Sequence, residues 1–208
     1  MITSSVPGPA VAQLDYRGEV WRKLLHLFAM VMPIGYHFAP RWLALSAMLA
    51  AFLFSLFADI CRLRKWSIQR YWTPITDYIV RPKESGGFTG ATHILFSGFV
   101  CLLLFSVPAA TLAMCTIILG DSAAALVGRK WGRHKFTHAN RSWEGSLSFL
   151  AASQIAAFLI PGLPLWIGIT GAVIGTLVEA FSNQIDDNLS VPLVVGLFAH
   201  LAMLISSR

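Results

Sequence analysis

Three stretches of this chain set acids and bases into sequence that is otherwise apolar. In Glu19-Val-Trp-Arg22-Lys23-Leu-Leu-His26 the polar residues stand at i, i+3, i+4 and i+7, which on a helix confines them to one face about 100° wide. That face offers an acid, two cations and an imidazole, groups able to grip an anion and to move a proton. A snorkelling start to a membrane helix would also account for Arg22 and Lys23. His26, a turn deeper, fits that explanation less well.

The second stretch, Gly120-Asp121-Ser-Ala-Ala-Ala-Leu-Val-Gly128-Arg-Lys-Trp-Gly132-Arg-His-Lys135, carries a carboxylate roughly 10 Å from the expected end of its helix. An ionisable group at such a depth marks a functional site. Ser122 to Ala125 are small enough for close helix packing. Gly128 and Gly132 free the backbone to approach an anion, and Arg129, Lys130, Arg133 and Lys135 supply the charge of a phosphate cradle. The spacing GxxxxGK[ST] is absent and no strand precedes the loop, so this is not a Walker A motif. A basic loop set by membrane topology is the plainer alternative.

The third stretch begins at Arg141-Ser142-Trp-Glu144-Gly145-Ser146, where Ser142 is placed to cap a helix and Glu144 to stand in its first turn. Further on, Glu179 and Asp186-Asp187-Asn188 come to a similar depth. Several carboxylates at one level suit Mg²⁺, which takes oxygen ligands and usually pairs one or two carboxylates with substrate phosphates. Adjacent acids such as Asp186 and Asp187 repel each other unless a cation screens them. Two lesser features remain: Asp59 and Arg62, spaced as a helix-surface ion pair, and Glu84 and His93, which flank a glycine-containing turn.

The elements that must position these residues follow from composition. Of 208 residues, 56% are apolar and 12% charged, and the mean hydropathy is +0.64, too little polar surface for a water-soluble globule. Apolar runs recur at Leu24–Tyr36, Trp42–Phe57, His93–Val107, Ala109–Val127, Ser146–Ile160, Leu165–Phe181 and Val191–Ile205. They predict an all-α, polytopic transmembrane bundle of about seven spans. Ala58–Gly90, rich in bases, Trp and Tyr and broken by Pro74 and Pro82, reads as an interfacial helical segment between spans two and three. Residues 1–16 read as a mobile tail without a cleavable signal sequence, and 17–208 as a single integral membrane catalytic domain.

With the N-terminus in the cytoplasm, 14 of the 16 Lys and Arg fall inside, as the positive-inside rule requires. All ten acids fall on the same side, so the expected active face is cytoplasmic (the inner membrane in a bacterium). The net charge of +6 lies in short loops beside spans, where lipid and topology account for it, and no nucleic-acid partner is expected. Cys61, Cys101 and Cys115 lack metal-ligand spacing and read as core residues. The sequons at Asn140 and Asn188 lie on the cytoplasmic side and read as unmodified.

Taken in order, GEVWRKLLHL, GDSAAALVGRKWGRHKF, RSWEGS and VEAFSNQIDDNLSVPL resemble the polyprenol kinase family, which includes dolichol kinase, phytol kinase and CTP-dependent diacylglycerol kinase. The resemblance runs from about Glu19 to Pro192. It implies CTP as phosphoryl donor, a divalent cation such as Mg²⁺, and a hydrophobic alcohol as acceptor. The family pattern falls on Arg22, Lys23 and His26; on Gly120, Asp121, Gly128 and Gly132; on Ser142, Glu144 and Gly145; and on Glu179, Asp186, Asp187 and Asn188. Arg141 departs from it, standing where relatives often carry lysine, so that a point charge becomes a fork.

The expected activity is thus transfer of a phosphoryl group from a nucleoside triphosphate to a lipid alcohol, a reaction that asks mainly for positioning and charge neutralisation. Asp121, Glu144 and His26 are the catalytic candidates. Arg22, Lys23, Gly128, Arg129, Lys130, Gly132, Arg133, Lys135, Ser142 and Asn188 are the nucleotide-binding candidates, and Asp186, Asp187 and Glu179 the metal ligands. Asp121 would take the hydroxyl proton or ligate the metal. Two other readings stay open. A phosphatidate cytidylyltransferase would also use CTP, although its Pro-Gly-His-Gly-Gly type ending is absent. A small transporter could also bury carboxylates, but at the midplane and with an inverted repeat. The choice between CTP and ATP, the particular alcohol and the oligomeric state are open at this level.

Overall fold

The computed structural model describes residues 16–71, 80, 84–136, 141–182 and 185–206. The expected N-terminal tail, much of the expected interfacial segment and the Asn140 sequon lie outside the described residues. The helices are α1 (Tyr16–Phe28), α2 (Val31–Phe38), α3 (Arg41–Leu63), α4 (Gly90–Leu104), α5 (Val107–Trp131), α6 (Trp143–Phe158), α7 (Leu165–Phe181) and α8 (Asp187–Ser206). A 3₁₀ turn covers Ser67–Tyr71, and two-residue strands β1 (Lys135–Phe136) and β2 (Arg141–Ser142) pair antiparallel.

The protein is an all-α membrane protein. Helices α3, α5 and α8 are long and apolar enough to cross a bilayer, with 23, 25 and 20 residues, against the roughly 20 that a span requires. Helices α4 and α7 are apolar but shorter. Large apolar side chains such as Phe38, Trp42, Phe54, Phe158, Leu159 and Ile205 cover the outside, a surface for lipid rather than water.

The first expected span, Leu24–Tyr36, is not one helix. The chain turns at Ala29–Met30 between α1 and α2, and Pro33 explains the break, having no N–H for the carbonyl four residues back and a ring that clashes with it.

Helix α5 is the axis of the bundle. It is buried from Ala109 to Ile118 and again from Gly120 to Ser122, and it packs most extensively against α6, with α8, α1, α2, α7 and α4 around it. Small residues let these helices approach. A methyl group on Gly120 would lie 2.8 Å from the Phe149 ring, one on Gly171 2.8 Å from Leu112, and one on Gly175 2.6 Å from Thr116. Such contacts are how helices associate where lipid supplies no hydrophobic drive. At the other end of the molecule Arg41 donates to the carbonyls of Leu102 and Leu103, at 2.9 and 3.1 Å, satisfying the last turn of α4.

Candidate active site

Because α1 packs on α5, the polar face anticipated for α1 meets the one acid within α5. The Lys23 ammonium is in direct contact with the Asp121 carboxylate, and His26 Nε2 stands 3.6 Å from the same oxygen. Lys23 is 1% and Asp121 6% exposed. Charges this far from water persist only when paired. His26 Nε2 makes no hydrogen bond.

A second buried ion cluster adjoins the first. Arg141, leaving β2, forks between two helices: Nη1 contacts Glu179 near the end of α7, and Nη2 donates to Asp187 Oδ2 at 3.0 Å in the first turn of α8. Asp187 also lies within electrostatic range of Asp121, Lys23 and Arg141. Glu179, 2% exposed, keeps its other oxygen, Oε2, without a partner. Cations and carboxylates from α1, α5, β2, α7 and α8 therefore converge in one place.

The adjacent acids Asp186 and Asp187 face different ways. Asp186 Oδ1 accepts the backbone N–H of Asn188 at 3.0 Å and its side-chain amide at 2.8 Å, while Oδ2 lies 3.9 Å from His93 Nδ1 in the first turn of α4. Ser97 donates to the Asn188 carbonyl at 2.7 Å and joins α4 to α8.

Below α4 the Asp59–Arg62 pair proves to be more than a surface ion pair. Asp59 is 4% exposed and accepts from Thr89 N, Thr89 Oγ1 and Thr92 Oγ1 at 2.7, 3.0 and 2.7 Å. Arg62 donates to Asp59 and to the carbonyls of Glu84 and Ser85. The pair ties α3 to the segment leading into α4.

The basic loop after α5 is built on Ser142. Its Oγ accepts from Gly145 N at 3.1 Å and caps α6, as its place in the sequence suggests. Methyl groups on Gly128 and Gly132 would lie 3.2 and 2.6 Å from that oxygen. In this structure the two glycines admit Ser142 and the start of α6. Lys130, Arg133 and Lys135 are exposed, and the Lys130 ammonium rests 4.8 Å above the Trp131 ring.

Glu144 belongs to this loop. It accepts the backbone N–H groups of Arg133 and His134 at 3.2 Å each, and its Oε1 lies 2.7 Å from His134 Nδ1. Its own N–H, the His134 ring and these neighbouring N–H groups hold its carboxyl at about 2, below the usual range. Of the expected site residues, Lys23, His26, Asp121, Glu179 and Asp187 gather in the ion cluster, with Asp186 and Asn188 beside it. Glu144, Ser142, Gly128 and Gly132 shape the loop. Among the described residues no three His, Cys, Asp or Glu side chains are arranged to hold a metal ion on their own. Arg141 was legible only as a lysine replaced by a fork. Its link between Glu179 and Asp187 depends on tertiary contacts that the sequence does not display.

The chain is similar over most of its length to known lipid kinases. It is 24% identical to CTP-dependent diacylglycerol kinase 1 of Schizosaccharomyces pombe, covering 92% of this chain and 97% of that protein. It is 29% identical to phytol kinase of Synechocystis sp., covering 87% and 78%, and 24% identical to dolichol kinase of S. pombe, covering 86% of this chain and 38% of the relative. No family model and no solved structure matches the chain. The apolar helical fold is that of a membrane protein, and these relatives are lipid kinases. These relatives, a diacylglycerol kinase, a phytol kinase and a dolichol kinase, are of the kinds grouped in the polyprenol kinase family that the sequence resembles.

Proposed function

We propose that this protein transfers the γ-phosphoryl group of CTP to the hydroxyl of a lipid alcohol at the cytoplasmic face of the membrane. The observation that carries the reading is the buried cluster of Lys23, Asp121, Arg141, Glu179 and Asp187. Burying that many charges is costly, and a bundle that only had to fold would do better with apolar residues there. A cluster of this kind suits a ligand that is itself highly charged.

In this reading Arg22 and Lys23, with Arg129, Lys130, Arg133 and Lys135 of the loop, neutralise the triphosphate. The unpartnered Glu179 Oε2 and the Asp187 carboxylate are oxygen donors of the kind Mg²⁺ combines with substrate phosphates, and an ion held there would screen the phosphate charge. The acceptor oxygen attacks the γ-phosphorus, the bond to the β–γ bridging oxygen breaks, CDP leaves with the electron pair, and the hydroxyl proton passes to Asp121. Lys23 holds that carboxylate in place, with the His26 ring beside it. Glu144 acts at a distance by fixing the loop.

Purified protein in lipid vesicles, given Mg²⁺ and γ-labelled CTP or ATP with diacylglycerol, phytol or polyprenol, tests the proposal. Label on one alcohol, preferentially from CTP, is the expected result. CDP-lipid with released pyrophosphate would make the protein a cytidylyltransferase, and no turnover with any pair would remove the kinase assignment.

A further inference from the structure

Beside the ion cluster, polar groups from three segments meet without satisfying one another. Asn188 is 3% exposed. Its amide nitrogen is taken by Asp186, yet its Oδ1 has no partner. His93 Nδ1 is also buried and makes no hydrogen bond, lying 3.9 Å from Asp186 Oδ2. Buried polar atoms are nearly always satisfied, so an orphan acceptor and an orphan ring nitrogen bordering one carboxylate call for a small polar group beside it. Gly90 lets the Asn188 amide close in on the start of α4, since a methyl group there would lie 3.0 Å from Asn188 Nδ2 and 3.6 Å from Glu84 Oε1.

A hydroxyl meets both demands, being a donor and an acceptor at once. A phosphate would not, as it brings only acceptors and would face Asp186 and Glu84. The surroundings point to a hydroxyl carried by a lipid. The His93 side chain is 26% exposed against 8% for Asp121, so a molecule entering from the side reaches it sooner. Phe96, one turn along α4, is 37% exposed and pairs with Phe52 of α3 at 5.2 Å between ring centroids. An acyl or isoprenoid chain laid over Phe96 brings its head to His93.

We infer that the site where His93 and Asn188 border Asp186 is the subsite for the acceptor hydroxyl, which before transfer donates a hydrogen bond to Asn188 Oδ1 and accepts one from His93 Nδ1. This rests on the kinase reading and deepens it. The two sides of the reaction then abut at a single peptide bond, because Asp186 borders the hydroxyl while Asp187 belongs to the charged cluster, and consecutive Cα atoms are about 3.8 Å apart. Asn188 serves the acceptor rather than the nucleotide.

The test is photo-crosslinking of the full-length protein in vesicles with a diazirine-bearing diacylglycerol and a diazirine-bearing isoprenoid alcohol. Mass spectrometry maps the adducts, and parallel assays give KM for alcohol and nucleotide. The expected adducts lie on α4 and the first turn of α8 and are displaced by free alcohol but at least tenfold less well by its methyl ether, which has no proton to donate. His93→Leu and Asn188→Leu should raise the alcohol KM at least tenfold with the nucleotide KM within twofold, and His93→Gln should recover part of the loss. Adducts only elsewhere, equal competition by the ether, or a shift confined to the nucleotide KM would overturn the subsite. Transfer to the alcohol with adducts elsewhere removes the subsite and leaves the kinase. Adducts here, displaced by alcohol in a protein that transfers no phosphate, remove the kinase and leave the subsite.

Discussion

Lys23 and Asp121, 98 residues apart in the chain, form a direct ion pair between α1 and α5 with both side chains withdrawn from solvent. Removing one partner strands the other as a buried charge, which costs about 3–5 kcal/mol in comparable pairs. Lys23→Met and Asp121→Asn should therefore each lower the melting temperature in detergent. Combining them removes both charges, and the double variant should recover a large part of that stability while remaining inactive. Equal loss in the single and double variants would mean the pair is not coupled.

Arg141 holds Glu179 and Asp187 together with one guanidinium. In Arg141→Gln the two carboxylates face each other unscreened, so the variant should be less stable than the parent in EDTA. Added Mg²⁺ can take over the screening and should raise its melting temperature more than that of the parent protein. Arg141→Lys, keeping the charge but not the fork, should fall between. A Mg²⁺ response identical in all three proteins would exclude these acids as a cation site.

Much of this arrangement was legible beforehand because it is written locally. The i, i+3, i+4, i+7 spacing put Lys23 and His26 on one face, the depth of Asp121 in an apolar run marked it, and Ser142 two residues before Glu144 announced a cap. What the sequence could not display was how distant segments share partners. Adjacent aspartates suggested one cation, whereas Asp187 turns to Arg141 and Asp186 to His93. Glycines in a basic loop suggested room for an anion, and that Gly128 and Gly132 also make room for the Ser142 hydroxyl depends on how the loop folds back. The first span read as continuous from hydropathy alone, and Pro33 breaks it.

The glycine contacts give an ordered series. A methyl group on Gly132 would lie 2.1 Å from the Gly128 carbonyl and 2.6 Å from Ser142 Oγ, while one on Gly128 would approach Ser142 Oγ only to 3.2 Å. Gly132→Ala should disrupt the loop, and Gly128→Ala should need only a small adjustment. Ser142→Ala, losing the cap, should cost about 1 kcal/mol. Limited proteolysis after Trp131 is the readout, with Gly132→Ala cleaved fastest.

Acid should reach the loop through Glu144. Its carboxyl is depressed from the usual 4.5 to about 2, so its stabilising contribution is complete above the unfolded value and is lost as pH falls through the folded one. Between pH 5 and 9 Glu144 stays ionised and should add no pH dependence to proteolytic protection of the loop. Protection should decline below about pH 4 in the parent protein. Glu144→Gln should lose that acid-dependent step and start from a lower plateau.

Asp59 offers the sharpest separation of framework from chemistry. Its carboxylate collects two hydroxyls and a backbone N–H from the start of α4 and faces Arg62 across one helical turn. Asp59→Asn keeps the size but loses the charge, leaves Arg62 with carbonyl partners but no carboxylate, and puts a side-chain amide among donors. The expected loss is several kcal/mol, as for other buried charged networks broken on one side. The damage should be confined to the junction of α3 and α4, because Lys23, Asp121 and Arg141 take their partners elsewhere. Hydrogen exchange should therefore accelerate in 84–95 while α5 stays protected, and the nucleotide KM should hold as turnover falls. Exchange quickened throughout α5 would instead mean that Asp59 supports the whole bundle.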